Sequence, residues 1–261
     1  MAALSPNQPK RFDIIVRALL ALAVLAAALT GAGAGRAIIG AGPDSGAHPA
    51  VGLLVIPGAG GLVPECSGVL VAPRVFVTAG HCSEAALAAG GAYVVFGDQL
   101  SSETWTPLHG TATTDPGYGH SSSDPHDLGV VVLDADAPVQ PASLPRAGAA
   151  DGLAKAGSAL VSVGYGYSQS VKKTTYLYDG LRHAAEIPVV SQTSTLLRLG
   201  GSTTTQLCFG DSGGPQVVAG TSTVVSLTSA GSPACEGTAS ATRLDTPSAR
   251  AFLGSYVSLP S

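Results

Sequence analysis

A serine within a short glycine-rich segment limits the fold and chemistry of this chain more than any other feature. Residues 210–215 read Gly-Asp-Ser-Gly-Gly-Pro and precede a strand-like run at 216–218. A serine hydroxyl becomes an effective nucleophile only when a base takes its proton and donors hold the oxyanion that forms. The glycine before Asp211 permits a turn in which the N–H groups of Gly210 and Ser212 point at one spot. The segment is therefore either a nucleophile with its oxyanion hole or a glycine-rich turn between strands.

Two other segments offer the base and the carboxylate that such a nucleophile needs. His81 follows an apolar run and directly precedes Cys82, and Asp127 directly precedes the apolar run 128–133. Asp124 is an alternative carboxylate, but we favour Asp127 because the following strand would anchor it. The remaining histidines lack this setting and are predicted to lie on the surface: His48, His109, His120, His126 and His183.

The order His81, Asp127, Ser212 in these local contexts resembles the chymotrypsin/trypsin family of serine proteases, over about residues 38–257. The resemblance implies an all-β fold with two packed six-stranded antiparallel β-barrels and a short C-terminal helix. It also implies that Ser212 attacks the scissile carbonyl, His81 transfers the proton and Asp127 orients the imidazole, through an acyl-enzyme. The substrate would be a peptide or protein, and neither a cofactor nor a metal is expected.

The composition agrees with a β-rich protein that does not bind nucleic acid. Only 11% of the 261 residues are charged, and the chain has 34 glycines, 18 prolines and short Val/Leu-rich runs. This pattern favours strands and turns over a helical bundle. The net charge of −4 without a basic block argues against a nucleic-acid partner. We expect a monomer.

The apolar runs predict two sets of strands. The first set lies at 50–56, 67–77, 92–96 and 128–133, and the second at 159–164, 182–190, 195–199, 215–218, 223–228 and 238–244. The expected organisation is a leader at 1–37, an N-terminal barrel at 38–145, a linker at 146–157, and a C-terminal barrel with the helix at 158–261. Thr246 and Pro247 predict the N-cap and first residue of that helix.

The N-terminal segment has the composition of a secretory leader. Three basic residues precede an uncharged alanine- and leucine-rich stretch at 18–30. This stretch is short for a membrane span and predicts a cleaved signal peptide, with a retained membrane anchor as the alternative. Small residues allow cleavage after Ala34 or after Ala37. We expect a secreted protein without a membrane partner after cleavage. The alanine-rich composition is typical of proteins from high-GC bacteria and so indicates a bacterial, secreted type of the family.

The four cysteines of an exported chain predict two disulfides, for which the residues alone allow three pairings. The resemblance to the family selects Cys66–Cys82 and Cys208–Cys235.

The resemblance also gives Asp211 a separate function. In the family, the residue at this position binds the ammonium group of a new N-terminus and so shapes the oxyanion hole. Its partner here would be Ile38, since residues 38–41 read Ile-Ile-Gly-Ala; alternatively, Ile38 begins a buried strand. Arg36 lies one residue too early for the family's usual activating cleavage. Cleavage after Ala37 would free Ile38 directly, whereas cleavage after Ala34 would leave a short propeptide.

Substrate specificity is the least determined part of the site. The resemblance places Gln206 at the base of the primary pocket, where a neutral side chain argues against strict Arg/Lys preference. It places Ser226, Leu227 and Thr228 on the pocket-edge strand and Ala239 on the opposite wall. The segment Gly164-Tyr165-Gly166 would support the wall beside the oxyanion loop.

Two other functions compete with a protease. A protease-like binding protein would keep the fold without turnover, but such proteins usually lose a catalytic residue, and all three are present here. An α/β-hydrolase esterase would need the order Ser, Asp, His and a Gly-x-Ser-x-Gly elbow, and this chain has neither.

Overall fold

The computed structural model describes residues 38–261 apart from 102, 104, 173, 174 and 202–204, and it leaves the side chains of 169–176 undescribed. The predicted leader, with its cleavage sites after Ala34 and Ala37, lies outside the described residues. Within the described part of the chain, no helix has both the length and the apolar character needed to span a bilayer.

The first half of the described chain forms a closed six-stranded antiparallel barrel after a short strand, β1 (Gly42–Pro43). Its strands are β2 (Val51–Gly58), β3 (Gly61–Ala72), β4 (Val75–Thr78), β5 (Ala92–Phe96), β6 (Leu108–Thr114) and β7 (Gly129–Leu133). They neighbour one another in the order β2-β3-β4-β7-β6-β5, and β5 pairs with β2 to close the barrel. Fully buried side chains such as Leu54, Phe76 and Val131 fill its interior, as the apolar runs predict.

The second half forms a second closed barrel. The strands of this half are β8 (Ala159–Gly164), β9 (Gln169–Lys172), β10 (Thr175–Leu177), β11 (His183–Gln192), β12 (Leu196–Gly200), β13 (Pro215–Val217), β14 (Val224–Ala230) and β15 (Thr238–Arg243). Six of them close in the order β11-β12-β15-β14-β13-β8, since β8 also pairs with β11. Strand β1 adds to β11 at one edge, and β9 and β10 form a separate hairpin. The predicted pair of six-stranded barrels is confirmed.

Two short helices accompany the barrels. Helix α1 (Gly80–Ala89) follows β4, and helix α2 (Pro247–Leu253) lies near the C-terminus. Thr246 caps α2 by accepting a hydrogen bond from the Ala249 N–H, and Pro247 is its first residue, as predicted. Helix α1 was not predicted, although its run of alanines followed by Gly90 is typical of a helix and its end.

One predicted strand is wrong in its extent. The run 67–77 is two strands, because a two-residue turn at Pro73 and Arg74 separates Ala72 from its partner Val75. Proline lacks an amide N–H and has a fixed φ, so it favours such a turn. The other predicted strands form close to their expected positions. Strands β1, β6, β9 and β10 were not predicted.

Candidate active site

The barrel topology brings His81 and Asp127 together. Strands β4 and β7 are antiparallel, and Thr78 at the end of β4 pairs with Gly129 at the start of β7. His81 follows β4 in the first turn of α1, and Asp127 lies two residues before β7. Two residues that are distant in sequence therefore meet at one end of the first barrel.

Asp127 binds His81 through both its side chain and its backbone. The His81 Nδ1 atom lies 3.1 Å from each carboxylate oxygen of Asp127, and the His81 backbone N–H donates to Oδ1 at 3.0 Å. The Ser229 hydroxyl donates to Oδ2 at 2.6 Å. Burial alone would raise the pKa of Asp127, but the hydrogen bonds and charge of His81 and the hydrogen bond from Ser229 hold it below its usual value. The carboxylate is therefore ionised and fixes the orientation of the imidazole.

The alternative carboxylate, Asp124, is used within its own loop. It accepts hydrogen bonds from the backbone N–H of Gly119 at 2.6 Å and of His126 at 2.8 Å. The His126 ring turns to Asp115, with Nδ1 3.2 Å from Oδ2. Asp124 closes this loop, and Asp127 is the residue that contacts His81.

The prediction that the other five histidines lie on the surface is wrong for His183. This side chain is fully buried at the start of β11, where Nε2 lies 3.1 Å from Asp179 Oδ2. The nearby carboxylate provides a polar partner for the buried ring. His48, His109, His120 and His126 each pair with an acidic residue and keep part of the side chain exposed.

The loop that carries Ser212 belongs to the second barrel and is held by a strand of the first. The Ser67 N–H on β3 lies 3.0 Å from the Gly210 carbonyl and 2.9 Å from the Ser212 carbonyl. The Ser67 hydroxyl donates to the Gly210 carbonyl at 2.8 Å. At Gly213, φ is +75°, and an added Cβ would lie 2.1 Å from Thr78 Oγ1. Only glycine permits this close approach of the serine loop to the first barrel.

Ser212 and His81 line the same two cavities. One cavity, of about 580 Å³, is also lined by Gly210, Phe209 and Tyr167, and the other, of about 280 Å³, lies along Ser229 to Ser232. In the described part of the chain, no hydrogen bond joins the Ser212 hydroxyl to the His81 ring. Such contacts often form only when substrate is bound.

Asp211 is a buried carboxylate next to this loop. Among the described residues, its hydrogen-bond partners are two backbone donors: Cys208 N–H donates to Oδ2 at 2.9 Å, and Gly166 N–H donates to Oδ1 at 3.0 Å. Burial raises the pKa of Asp211 to about 7, against the lowering effect of these two bonds. Ile38 is also fully buried, and the next residue, Ile39, accepts a hydrogen bond from the Gln206 N–H at 3.0 Å. The segment that begins at Ile38 thus runs past the chain leading to Asp211.

The residues predicted for the substrate pocket occupy different layers. Thr228 lines the 280 Å³ cavity, whereas Gln206 and Ala239 line a much smaller adjoining space, of about 10 Å³. Ser226 and Leu227 are fully buried within β14 and line neither of these cavities. Beyond Thr228, the wall of the 280 Å³ cavity is formed by residues 229–232.

The sequence did not predict the role of Ser229 or of the residues after it that form the cavity wall. The register of β14 against β15 shifts between Thr228 and Ala230, so Ser229 is an extra residue at a bulge. A bulge redirects side chains relative to the regular alternation of a strand. No local pattern in the sequence indicates this shift, and the direction of the Ser229 hydroxyl towards Asp127 could be found only from the fold.

Tyr165, which the sequence assigns to the wall beside the oxyanion loop, contacts the first barrel. Its side chain is fully buried, and its hydroxyl donates to the Gly97 carbonyl at 2.6 Å. An added Cβ at Gly166 would lie 2.5 Å from the Asp211 carboxyl carbon, so this position must be glycine for Asp211 to fit.

The two disulfides are those that the resemblance selected. Cys66 of β3 is bonded to Cys82 of α1, next to His81, and Cys208 is bonded to Cys235. Among the described residues, Cys66, Cys82 and His81 lie close enough together to suggest a metal site. The two sulfur atoms are bonded to each other, however, and thiolates are the form that binds a metal.

Comparisons with known proteins show the family and the fold of this chain. The family model described as Trypsin matches residues 39–250. Human kallikrein-12 is 32% identical over 177 residues, which are 60% of this chain and 66% of kallikrein-12, so the match spans slightly less than two thirds of that relative. The structure of mouse neuropsin, described as a serine protease, superimposes with a TM-score of 0.61 at 24% identity, over 81% of this chain and 94% of neuropsin. The chain belongs to the trypsin family.

Proposed function

We propose that the protein is a secreted serine endopeptidase. Ser212 is the nucleophile, His81 is the general base and then the general acid, and Asp127 holds the imidazole in the required tautomer. The N–H groups of Gly210 and Ser212 stabilise the oxyanion of the tetrahedral intermediate. The reaction passes through an acyl-enzyme, which water hydrolyses.

The observation that carries this proposal is a histidine that binds a carboxylate and shares its cavities with a serine. His81 is bound to a buried, ionised Asp127, and His81 and Ser212 line the same two cavities. A glycine-rich loop held at Gly210 by Ser67 provides the donors next to the serine. A binding protein with this fold would not require a histidine that is held by a buried carboxylate next to a serine.

Activation would depend on Ile38 and Asp211. A free Ile38 ammonium would neutralise the buried Asp211 carboxylate, which has two backbone donors and, among the described residues, no cationic partner. Such pairing favours the ionised carboxylate and lowers its pKa. Removal of the leader after Ala37 would then combine export with activation, whereas a cut after Ala34 would require a second cleavage.

The primary pocket would accept uncharged side chains. Its inner layer contains Gln206 and Ala239, and its wall is formed by Thr228 and the residues to Ser232. Gln206 cannot provide the negative charge that would pair with Arg or Lys. Gln206→Asp is therefore expected to increase cleavage after Arg and Lys in a peptide library. An unchanged preference would show that Gln206 does not contact the substrate.

The proposal is tested by the intact mass of the secreted protein before and after a fluorophosphonate probe. One adduct on Ser212, absent in His81→Ala, is the expected result, and the same spectrum reports the mature N-terminus. A protein that starts at Ile38 with both disulfides formed and still gives no adduct would be a non-catalytic member of the family. The absence of an adduct only on a longer form would identify an unprocessed precursor.

A further inference from the structure

The segment that begins at Ile38 ends in a buried ion pair. Asp44 directly follows β1, and Arg182 directly precedes β11; their side chains are 0% and 2% exposed. Arg182 Nε donates to Asp44 Oδ2 at 2.8 Å, and the Asp44 N–H donates to the Arg182 carbonyl at 2.8 Å. Asp44 and Arg182 are thus joined by both a side-chain ion pair and a backbone hydrogen bond.

The guanidinium of Arg182 also reaches into the first barrel. Its Nη1 donates to the carbonyls of Val51 and Gly97, each at 3.3 Å, and to the Tyr165 hydroxyl at 3.2 Å. Its Nη2 binds Asp98. Arg182 is therefore a fixed point at the junction of the two barrels, and Asp44 attaches the N-terminal segment to it.

The other end of the same segment lies beside the oxyanion loop. Ile39 pairs with Gln206, which lies two residues before Cys208. The N–H of Cys208 donates to the Asp211 carboxylate. Gly166, which follows Tyr165, binds the other oxygen of Asp211. A segment of seven residues therefore joins the ion pair to the surroundings of Asp211.

We propose that the Asp44–Arg182 pair is the anchor that keeps the freed N-terminus of Ile38 at Asp211. Cleavage before Ile38 removes the preceding chain and leaves a free end that could leave its site. Fixing the segment only six residues away raises the effective concentration of the ammonium group at Asp211. Asp44 and Arg182 are thus positioning residues for the oxyanion loop, and this role rests on the proposed activation by Ile38.

The charged groups around Asp44 and Arg182 keep this pair ionised in the alkaline pH range in which the Ile38 amine loses its proton. Asp44 faces Arg182 and His48. The His48 backbone N–H donates to Asp44 Oδ2 at 2.9 Å, and the His48 ring binds Asp44 Oδ1. Arg182 faces Asp44, Asp98 and Tyr165. Burial would raise the pKa of Asp44, but the bonds from His48 and Arg182 lower it to about 2.

The test compares Asp44→Asn with Asp98→Asn in the mature enzyme. Both changes remove one acidic partner of Arg182, but only Asp44 lies on the N-terminal segment. Activity should fall at alkaline pH as the Ile38 amine loses its proton and leaves Asp211. Loss of a partner from a buried pair is strongly destabilising, so Asp44→Asn should weaken insertion at least tenfold and lower the midpoint of this alkaline limb by about one pH unit. Asp98→Asn should leave the midpoint unchanged.

A second readout does not depend on activity. The Ile38 amine is labelled with an acylating reagent and followed by mass spectrometry, with both disulfides and the circular dichroism spectrum as folding controls. Asp44→Asn should react at least tenfold faster than the wild type and Asp98→Asn. If the Ile38 amine is equally protected in all three proteins, the Asp44–Arg182 pair does not anchor the N-terminus, although Ile38 can still activate the enzyme by binding Asp211. A wild-type amine as reactive as a free peptide would instead overturn the insertion of Ile38 at Asp211.

If Asp44→Asn does not fold, Arg182→Lys replaces it. A lysine keeps the positive charge but cannot bind Asp44, Tyr165 and the two carbonyls together. The same lower midpoint and faster labelling are expected, and wild-type values for both would overturn the proposal.

Discussion

The Ser229 hydroxyl donates a 2.6 Å hydrogen bond to Asp127 Oδ2 across the junction of the two barrels. Asp127 precedes β7 of the first barrel, whereas Ser229 lies at a bulge of β14 in the second. The carboxylate that orients His81 is therefore fixed by both barrels. Correct packing of the barrels and correct geometry of the base depend on the same bond.

Replacing Ser229 by alanine should lower both stability and turnover. Loss of a hydrogen bond to a buried charge should reduce the free energy of unfolding by about 1–3 kcal/mol at neutral pH. A less firmly held imidazole should reduce kcat about 10- to 100-fold. Because the depressed pKa of Asp127 stabilises the fold above the unfolded pKa of about 3.9, the difference in stability should disappear as the pH falls through the folded pKa.

Urea unfolding at several pH values and steady-state kinetics measure these effects. Ser222→Ala is a suitable control because Ser222 is exposed and hydrogen-bonds only Ser143 through its side chain in the described part of the chain. A Ser229→Ala protein with a constant loss of stability from pH 7 down to pH 2 would contradict a contribution through the ionised Asp127.

Asp127 and Asp124 should differ sharply in their effect on turnover. Asp127→Asn removes the carboxylate that selects the imidazole tautomer and should lower kcat about 10⁴-fold. Among the described residues, the Asp124 side chain is hydrogen-bonded to Gly119 and His126 of its own loop, so Asp124→Asn should leave kcat close to the wild-type value. Active-site titration before the kinetic measurement corrects for misfolded protein. A comparable loss in both variants would mean that the loop geometry, and not the Asp127 charge, limits the reaction.

The local motifs of the sequence predict most of the strands, whereas the pair of barrels and the pairing of the four cysteines follow from the resemblance to the family that these motifs carry. Short apolar runs between glycine and proline residues indicate strands directly, and the C-terminal helix has a recognisable cap at Thr246. Helix α1 was missed because its short, alanine-rich sequence has almost no amphipathic periodicity to distinguish it from a loop.

The details of the substrate pocket could not be predicted, because they depend on register and layering. The prediction counted Ser226 to Thr228 as the pocket edge, but the bulge at Ser229 shifts the exposed wall towards Ala230 and Gly231. The Asp44–Arg182 pair was missed for a similar reason. Its residues are far apart in sequence, and only the pairing of β1 with β11 brings them together.

Gly231→Val should restrict the primary pocket to small side chains. Gly231 lines both the 280 Å³ cavity and the small adjoining space, where an added Cβ would come into contact with the Cβ of Ala239 at 4.0 Å. The branched side chain of valine would therefore occupy part of the proposed pocket. Cleavage after Phe and Leu should fall at least tenfold relative to cleavage after Ala, the size of effect typical of a few methylene groups in an apolar pocket. An unchanged ratio would place the side chain of the substrate elsewhere.

In the uncleaved chain, Asp211 should make stability fall as the pH rises. Burial raises its folded pKa to about 7, whereas an unfolded aspartate has a pKa of about 3.9. Between these values the unfolded chain has released a proton that the folded chain retains, so raising the pH favours unfolding, by a total on the order of 4 kcal/mol. Above pH 7 the effect is constant.

The measurement is the free energy of unfolding in urea from pH 4 to pH 8, in a Ser212→Ala background that prevents self-cleavage. Adding Asp211→Asn should remove most of the decline, since asparagine does not titrate. The form that begins at Ile38 should also lack the decline, because its ammonium group would keep Asp211 ionised. A decline of equal size with and without Asp211 would assign it to other groups, and a decline that persists after cleavage would show that the Ile38 amine does not reach Asp211.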